Sequence, residues 1–241
     1  MENKLDCLKK AGNIAQKAHA AAKSLIAPGV NVEDIEQAVK KVIVDAQMRP
    51  AFLGYKGYPA ATCISVNEEV VHGIPSGRIL EEGDVVSVDL GVEYGGYIVD
   101  TARTHPVGKV TVPVQKLLEV TKEALAKAIT KAKIGNKTGD IGDIVQRTVE
   151  GAGFQIVRDL TGHGVGKTLQ EPPSIPNFGK PGSGAILKEG MVLAIEPITT
   201  LEPTTIAVKA DGWTIVTMTG TVSAHYEDTV IITQNGPVVL T

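Results

Sequence analysis

The chain has 241 residues, of which 43% are hydrophobic and 21% are charged, with a formal net charge of -3. The apolar share is enough for a substantial core, and the slightly acidic balance excludes the basic field of a nucleic-acid-binding protein. Its two cysteines, Cys7 and Cys63, are too few for a disulfide framework and are typical of a reducing compartment. The charged start, with no apolar run of about 18 residues, predicts a cytoplasmic protein that does not enter a membrane.

Two pairs of helices are predicted along the chain. The first helix follows from apolar residues at steps of three and four between Leu5 and Leu25, and the second begins after an N-cap at Asn31 and ends near Ala46. The pattern returns at about residues 114–133 and 140–152. Strands are predicted over residues 62–66, 85–92, 97–107, 154–159, 191–199, 214–218 and 229–233. This order predicts an α+β fold with helices outside a curved antiparallel sheet.

Two segments of the chain repeat. ILEEGDVVSVD at residues 79–89 matches ILKEGMVLAIE at residues 186–196, about 107 residues later. GVNVEDIEQAV at residues 29–39 matches GNKTGDIGDIV at residues 135–145 with nearly the same separation. Repeats of this length are too long for a solenoid. We therefore predict one domain over residues 1–241, built from two related halves at about 1–110 and 111–241.

In each repeat, the predicted apolar strand ends with a carboxylate, which is Asp89 in the first half and Glu196 in the second. A hairpin turn centred between Tyr94 and Gly95 would place Asp89 directly opposite Asp100, with side chains about 5 Å apart. Two buried carboxylates at that distance repel each other, and their desolvation costs several kcal/mol unless a cation is bound. The alternative is that one acid faces solvent at the end of the hairpin.

The duplication adds further candidate metal ligands. Glu196 is equivalent to Asp89, and Glu227 takes the place of Asp100, so that four acids match the charge of two divalent ions. His163, which lies between glycines in TGHGVG, is the candidate nitrogen ligand, although a lone histidine is more often structural. An oxygen-rich set with one nitrogen suits manganese, iron or cobalt better than structural zinc.

Several motifs together resemble one known family. They are LGYKGYP at residues 53–59, CISVNE at 63–68, HGIP at 72–75, GHGVG at 162–166, AIEP at 194–197, DGWT at 211–214 and SAHYEDT at 223–229. With Asp89 and Asp100 they span essentially the whole chain and resemble the type I methionine aminopeptidases. The resemblance implies the pita-bread fold, in which helices cover a curved antiparallel sheet of two pseudo-symmetric halves. It also implies an enzyme that removes the N-terminal methionine from nascent proteins and peptides with a small second residue.

The resemblance implies a role for each ligand. His163 and Glu196 would bind one divalent ion, Asp89 the other, and Asp100 and Glu227 would bridge the two. Glu196 would also be the base for the attacking water.

Further residues match the substrate site of the family. His72 would donate a hydrogen bond to the scissile amide. A small apolar pocket for the methionine side chain is implied at Tyr55, Tyr58, Cys63, Leu169 and Trp213, although ordinary core packing is the alternative for each aromatic residue. Asn67 and Ser223 match positions that bind a monovalent cation in some members.

The chain departs from the family pattern at two positions. Gln170 stands where a second histidine is usual, and it can donate a hydrogen bond to a substrate carbonyl but cannot carry a proton. Phe52 replaces a residue that is often cysteine, which would narrow the pocket. The metal ligands are unaffected, whereas turnover is expected to be lower.

Two other functions remain as alternatives. One is another pita-bread hydrolase, such as an aminopeptidase P or a prolidase, and the other is a peptide-binding module without catalysis. Under the main interpretation, the partners are nascent N-termini and the surface of the ribosome, and the protein is a monomer.

Overall fold

The computed structural model describes residues 2–241. This part of the chain contains four α-helices: α1 (Lys4–Leu25), α2 (Val32–Asp45), α3 (Val112–Ile129) and α4 (Thr138–Gly151). All four were predicted, with ends that differ by a few residues. None of the helices in residues 2–241 combines the length and the apolar character needed to cross a lipid bilayer.

The strands form four antiparallel sheets within residues 2–241. Strands β4 (Val85–Tyr94) and β5 (Tyr97–Pro106) form the long hairpin of the first half. The others are β1 (Arg49–Pro50), β2 (Thr62–Val66), β3 (Glu69–Val71), β6 (Gln155–Ile156), β7 (Thr161–Gly164), β8 (Glu171–Pro176), β9 (Val192–Ile195), β10 (Ile198–Thr200), β11 (Ile206–Val208), β12 (Ile215–Thr217), β13 (Ser223–His225), β14 (Asp228–Thr233) and β15 (Gly236–Val239).

Local sequence explains where the first helix pair forms. The side chain of Asn31 accepts a hydrogen bond from the Glu33 amide at 2.9 Å, which confirms the predicted N-cap of α2. Helix α1 buries a stripe of leucine and alanine side chains at helical spacing, which allows it to pack closely on β4 and β5. Because α3 and α4 form a second pair, helices flank the sheets of both halves.

The halves contain equivalent contacts. The Gly29 amide donates to the Leu80 carbonyl at 2.8 Å, and the Gly135 amide donates to the Leu187 carbonyl at 3.0 Å. The bridge between Asn31 and Ile79 likewise has a counterpart between residues 137 and 186. An internal duplication predicts such pairs of contacts.

The register of the β4–β5 hairpin differs from the prediction. Gly95 and Gly96 both have positive φ and form a two-residue turn, so that Tyr94 pairs with Tyr97. Asp100 is therefore opposite Gly91, not Asp89 as predicted from a turn one residue earlier. Because each pairing moves by two positions, Asp89 and Asp100 remain on one face of the hairpin as diagonal neighbours.

The predicted strand at residues 191–199 is broken in two. Strand β9 belongs to the sheet of β14 and β7, whereas β10 pairs with β13 and β6. The break falls at Glu196-Pro197, because proline has no amide hydrogen for a continuous ladder. The chain changes sheets there and leaves Glu196 at the junction. The predicted strand at residues 154–159 is shortened to β6.

His19 gives the fold a testable dependence on pH. Its Nε2 lies 3.2 Å from the Thr101 carbonyl, and burial, with Arg103 and His105 nearby, lowers the pKa of His19 to about 3. Below about pH 6.5, His19 therefore binds a proton in the unfolded chain but not in the folded chain. The free energy of unfolding consequently falls as the pH falls from 6.5 towards 4.

We expect this fall to be smaller in the His19→Gln variant, by about 1.4 kcal/mol per pH unit. Urea unfolding in EDTA at pH 4.5, 5.5 and 7.5 measures the difference. Parallel pH curves for the two proteins would show that His19 is not excluded from protonation.

Candidate active site

The predicted metal ligands come from five places in the fold. Asp89 lies on β4, Asp100 on β5 and His163 on β7, whereas Glu196 and Glu227 occupy the residues directly after β9 and directly before β14. The two halves meet at this point, because the amide and carbonyl of Glu227 pair with those of Ala102 on β5.

The structure brings these side chains together. One donor atom from each of Asp100, His163 and Glu227 lies within 4.8 Å of the others. His163 Nε2 is 3.9 Å from Asp100 Oδ2 and 3.5 Å from Glu196 Oε1. Asp89 faces the same cleft. The arrangement is therefore a buried cluster of four carboxylates and a histidine.

Several oxygen atoms of these carboxylates receive no hydrogen bond that would offset the cost of burying them. Asp89 Oδ1, Asp100 Oδ1 and Glu227 Oε1 are buried without a hydrogen-bond partner in the described part of the chain. Burial, reinforced by neighbouring carboxylates, raises the pKa values of Asp89, Glu196 and Glu227 well above their ordinary range. Burial also raises the pKa of Asp100 to about 7. Buried oxygen atoms without hydrogen-bond partners and repulsion between neighbouring carboxylates are features of a cation-binding site.

A backbone contact fixes the orientation of the His163 ring. A carbonyl oxygen can only accept, so the 2.9 Å contact with the Gly164 carbonyl assigns the proton to His163 Nδ1. The Nε2 lone pair then faces the carboxylates. Burial lowers the pKa of His163, which favours the neutral form that binds metals. The structure places this residue on β7, a strand that was not among those predicted.

His225 lines the cleft and was not among the predicted site residues. Its Nε2 lies 3.6 Å from Glu196 Oε2 and 3.9 Å from Glu227 Oε2. Strand alternation was the available signal, because a residue two positions before Glu227 shares its face when the backbone is extended.

A hydrogen-bond network connects β5, which carries Asp100, with the segment around Glu227. Arg103 donates to the Glu227 carbonyl and forms an ion pair with Asp228. The Thr229 hydroxyl accepts from the Asp100 amide at 2.8 Å and donates to the Asp100 carbonyl at 2.7 Å. Backbone positions of both Asp100 and Glu227 are therefore held by polar contacts between the halves.

The carboxylates lie in a cleft that is open to solvent. One wall is an apolar cluster that includes all six predicted pocket residues: Phe52, Tyr55, Tyr58, Cys63, Leu169 and Trp213. The rings of Tyr58 and Trp213 pack edge to face, with centroids 5.1 Å apart. The absence of a side chain at Gly91 makes room for Phe52, since a Cβ there would come within 2.9 Å of its ring.

His72 and Gln170 also line the cleft, together with residues that were not predicted. His72 has a left-handed backbone conformation, with φ of 58°, and burial lowers its pKa. Gln170 is exposed at the cleft margin. The unpredicted lining residues are Lys56, Val71, Leu160, Thr161, Ile198 and His225.

Asn67 and Ser223 meet away from the carboxylates. Ser223 Oγ lies 3.1 Å from the Asn67 carbonyl and 3.0 Å from the Glu69 carbonyl. The Glu69 carbonyl was not among the predicted cation ligands. The Asn67 carbonyl also accepts a hydrogen bond from the Ser223 amide at 2.9 Å. Three oxygen atoms therefore converge at this point, namely the Ser223 hydroxyl and the two carbonyls.

The sequence pattern of metallopeptidase family M24 matches residues 6–234. The chain belongs to metallopeptidase family M24. Because this is a family of metallopeptidases, the expectation of divalent metal use is confirmed at this level.

Among M24 relatives, the methionine aminopeptidase of Clostridium perfringens is 42% identical over 240 residues, covering 100% of this chain and 96% of that relative. The crystal structure of the methionine aminopeptidase from Thermotoga maritima has a TM-score of 0.98 and 45% identity, covering 100% of this chain and 97% of that chain. A prolidase from Pyrococcus furiosus has a TM-score of 0.80 and 27% identity, covering 100% of this chain but 64% of that chain.

These similarities confirm the resemblance to methionine aminopeptidases and the pita-bread fold. The prediction of a hydrolytic aminopeptidase, in preference to a module without catalysis, is also confirmed. The prolidase shares the M24 fold but at lower identity and over a smaller part of its own length, which favours the methionine aminopeptidase interpretation.

Proposed function

We propose that this M24 member removes the N-terminal methionine from nascent proteins and peptides whose second residue is small. The observation that carries the proposal is the cluster of buried carboxylates and histidine at an apolar cleft. The names of its full-length relatives point to the same activity. A tight site beside the scissile bond would reject a long second side chain sterically.

The metal centre would contain two divalent ions, with manganese, iron or cobalt as the candidates. Their ligands would be Asp89, Asp100, His163, Glu196 and Glu227. When bound, such ions acidify a water molecule and polarise the peptide carbonyl. The oxygen-rich ligand set and its uncompensated negative charge support this assignment.

The protein's own groups would handle the proton and the substrate. Glu196 would accept a proton from the attacking water and pass it to the leaving amine. His72 would donate a hydrogen bond to the scissile amide, and Gln170 would donate to a substrate carbonyl. The positions of all three residues on the cleft support these roles.

The apolar wall would receive the methionine side chain. Phe52, Tyr58, Cys63 and Leu169 form its buried part, with Tyr55 and Trp213 packed against them. An unbranched thioether gains favourable contacts with aromatic rings. This chemistry supports methionine as the first residue of the substrate.

A monovalent cation would bind between Asn67 and Ser223, with the Glu69 carbonyl as a third ligand. The convergence of three oxygen atoms supports this assignment. The site would tie the start of β3 to β13, which leads directly to Glu227.

The enzyme would be a monomer in the cytoplasm. It would bind nascent chains at or near the ribosome surface. No membrane or sequence-specific nucleic-acid contact is proposed. Sedimentation with purified ribosomes, with and without high salt, would test the ribosome contact, and sedimentation equilibrium would test the monomer.

The proposed activity is tested with peptides. Met-Ala-Ser should be hydrolysed between its first two residues when manganese or cobalt is added, and hydrolysis should stop in EDTA. Met-Lys-Ser should be resistant, and Gly-Pro peptides should remain uncut. Hydrolysis of Gly-Pro in preference to Met-Ala-Ser would replace the proposal with a prolidase activity.

Gln170 offers a test of turnover. We expect Gln170→His to raise kcat on Met-Ala-Ser by about tenfold, or about 1.4 kcal/mol, because the imidazole strengthens an interaction with the developing charge. The effect should be smaller than the roughly 2–4 kcal/mol associated with complete loss of such a donor. Steady-state kinetics at saturating metal measures it, and an unchanged kcat would show that position 170 does not limit the rate.

A further inference from the structure

His225 reaches the carboxylate cluster from a different strand than His163. It lies at the end of β13 and is only 2% exposed. Its side chain lines the cleft that contains Glu196 and Glu227. None of the roles in the proposed reaction uses it.

The distances around His225 resemble those around His163. Each histidine Nε2 faces one oxygen of Glu196, at 3.5 Å for His163 and 3.6 Å for His225. Each also has a second carboxylate oxygen at 3.9 Å. Two ligand atoms of one ion, with bonds of about 2.0–2.2 Å, lie roughly 3 to 3.5 Å apart. Small adjustments would therefore allow Glu196 and His225 to share an ion.

The Nε2 atom of His225 is chemically available. It is buried and has no hydrogen-bond partner within residues 2–241. An unpartnered buried polar atom destabilises the folded chain, and a bound cation would offset that cost.

The backbone at His225 is held in place. Its amide donates to Thr104 Oγ1 at 2.8 Å, and the same hydroxyl donates to the His225 carbonyl at 2.7 Å. Thr104 lies on β5, the strand that carries Asp100. The backbone of His225 is therefore fixed relative to β5, the strand that carries the proposed ligand Asp100.

We propose that His225 is a second nitrogen ligand of the metal centre and binds the same ion as Glu196. The inference rests on the proposed dinuclear site. It changes the donor set from four carboxylates with one imidazole to four carboxylates with two.

Proton NMR of the cobalt(II)-loaded full chain tests the proposal without relying on catalysis. Each coordinated imidazole contributes a hyperfine-shifted N–H resonance that disappears in D₂O. With two equivalents of cobalt(II), we expect two such resonances in the wild type and one in either His225→Gln or His163→Gln. A single resonance in the wild type that persists in His225→Gln would overturn the proposal and assign His225 to an outer hydrogen bond.

Metal affinity provides a second measurement. Loss of an outer-shell partner typically weakens metal binding by about 10- to 100-fold, so loss of a direct ligand should exceed this range for His225→Gln in calorimetric titration. A loss within or below the range would count against coordination. His105→Gln is the matched control, because His105 has a buried unpartnered Nε2 but does not line the cleft, and both resonances should remain.

Hydrolysis of Met-Ala-Ser by the same samples separates the two proposals. Cleavage by a wild-type protein that shows one imidazole resonance would overturn the role of His225 and leave the peptidase in place. Failure of the wild type both to bind cobalt(II) and to cleave would overturn the peptidase proposal and this inference with it.

Discussion

Replacing Glu196 with glutamine is expected to lower kcat on Met-Ala-Ser by about 10²- to 10⁴-fold, the range typical of a general acid–base group. A neutral amide cannot accept the proton of the attacking water, and it is a weaker ligand than a carboxylate. Glu196 lies where the chain changes sheets, with one carboxylate oxygen towards each of two histidines.

The Glu196→Gln measurement requires saturating manganese and a fold control by circular dichroism. Glu189→Gln is a suitable matched variant, because Glu189 is an exposed turn residue that contacts Gln234, and its kcat should equal that of the wild type. Activity of Glu196→Gln within about threefold of the wild type would remove this residue from the reaction.

Replacing Asp100 with asparagine should change stability in opposite directions with and without metal. In EDTA at pH 8, we expect the variant to be more stable than the wild type by about 1–4 kcal/mol, because an uncompensated buried charge is removed. In manganese at about 1,000 times Kd, the wild type should gain about 4 kcal/mol, whereas the variant should gain little.

Urea unfolding in EDTA and in manganese measures both effects of Asp100→Asn. Asp45→Asn is the matched control, since Asp45 is exposed, pairs with Lys41 and should leave the metal-dependent gain intact. If metal stabilised Asp100→Asn as much as the wild type, Asp100 would not be a ligand.

In the β4–β5 hairpin, the sequence predicted which side chains share a face but not which residues pair. The alternation of side chains predicted that Asp89 and Asp100 share a face, and the structure agrees. The exact pairing was wrong because it depends on which two residues form the turn, and Gly95 with Gly96 satisfies the positive φ values of a tight turn better than Tyr94 with Gly95. Asp89 and Asp100 still share a face because the predicted pairing was wrong by an even number of positions, and side chains alternate between the two faces of a strand.

The substrate cleft shows the opposite case. Its apolar wall joins Phe52 and Tyr58 to Leu169 and Trp213, which are more than 100 residues away in the chain. No periodicity relates these segments, and they were grouped only because their motifs resemble a family. Arg103 and Asp228 are a further pair whose contact was not predicted, since it forms across the junction of the two halves.

The sequence by itself determined the helix pairs, the Asn31 cap, the repeat of about 107 residues and the identities of the five candidate ligands. These features depend on local propensity, on periodicity or on recognisable motifs. Only the tertiary structure decided the hairpin register, the strand break at Pro197 and the approach of His225 to Glu196. Those depend on how distant strands pack, and the free energies of such contacts are set by neighbours that no local stretch of sequence specifies.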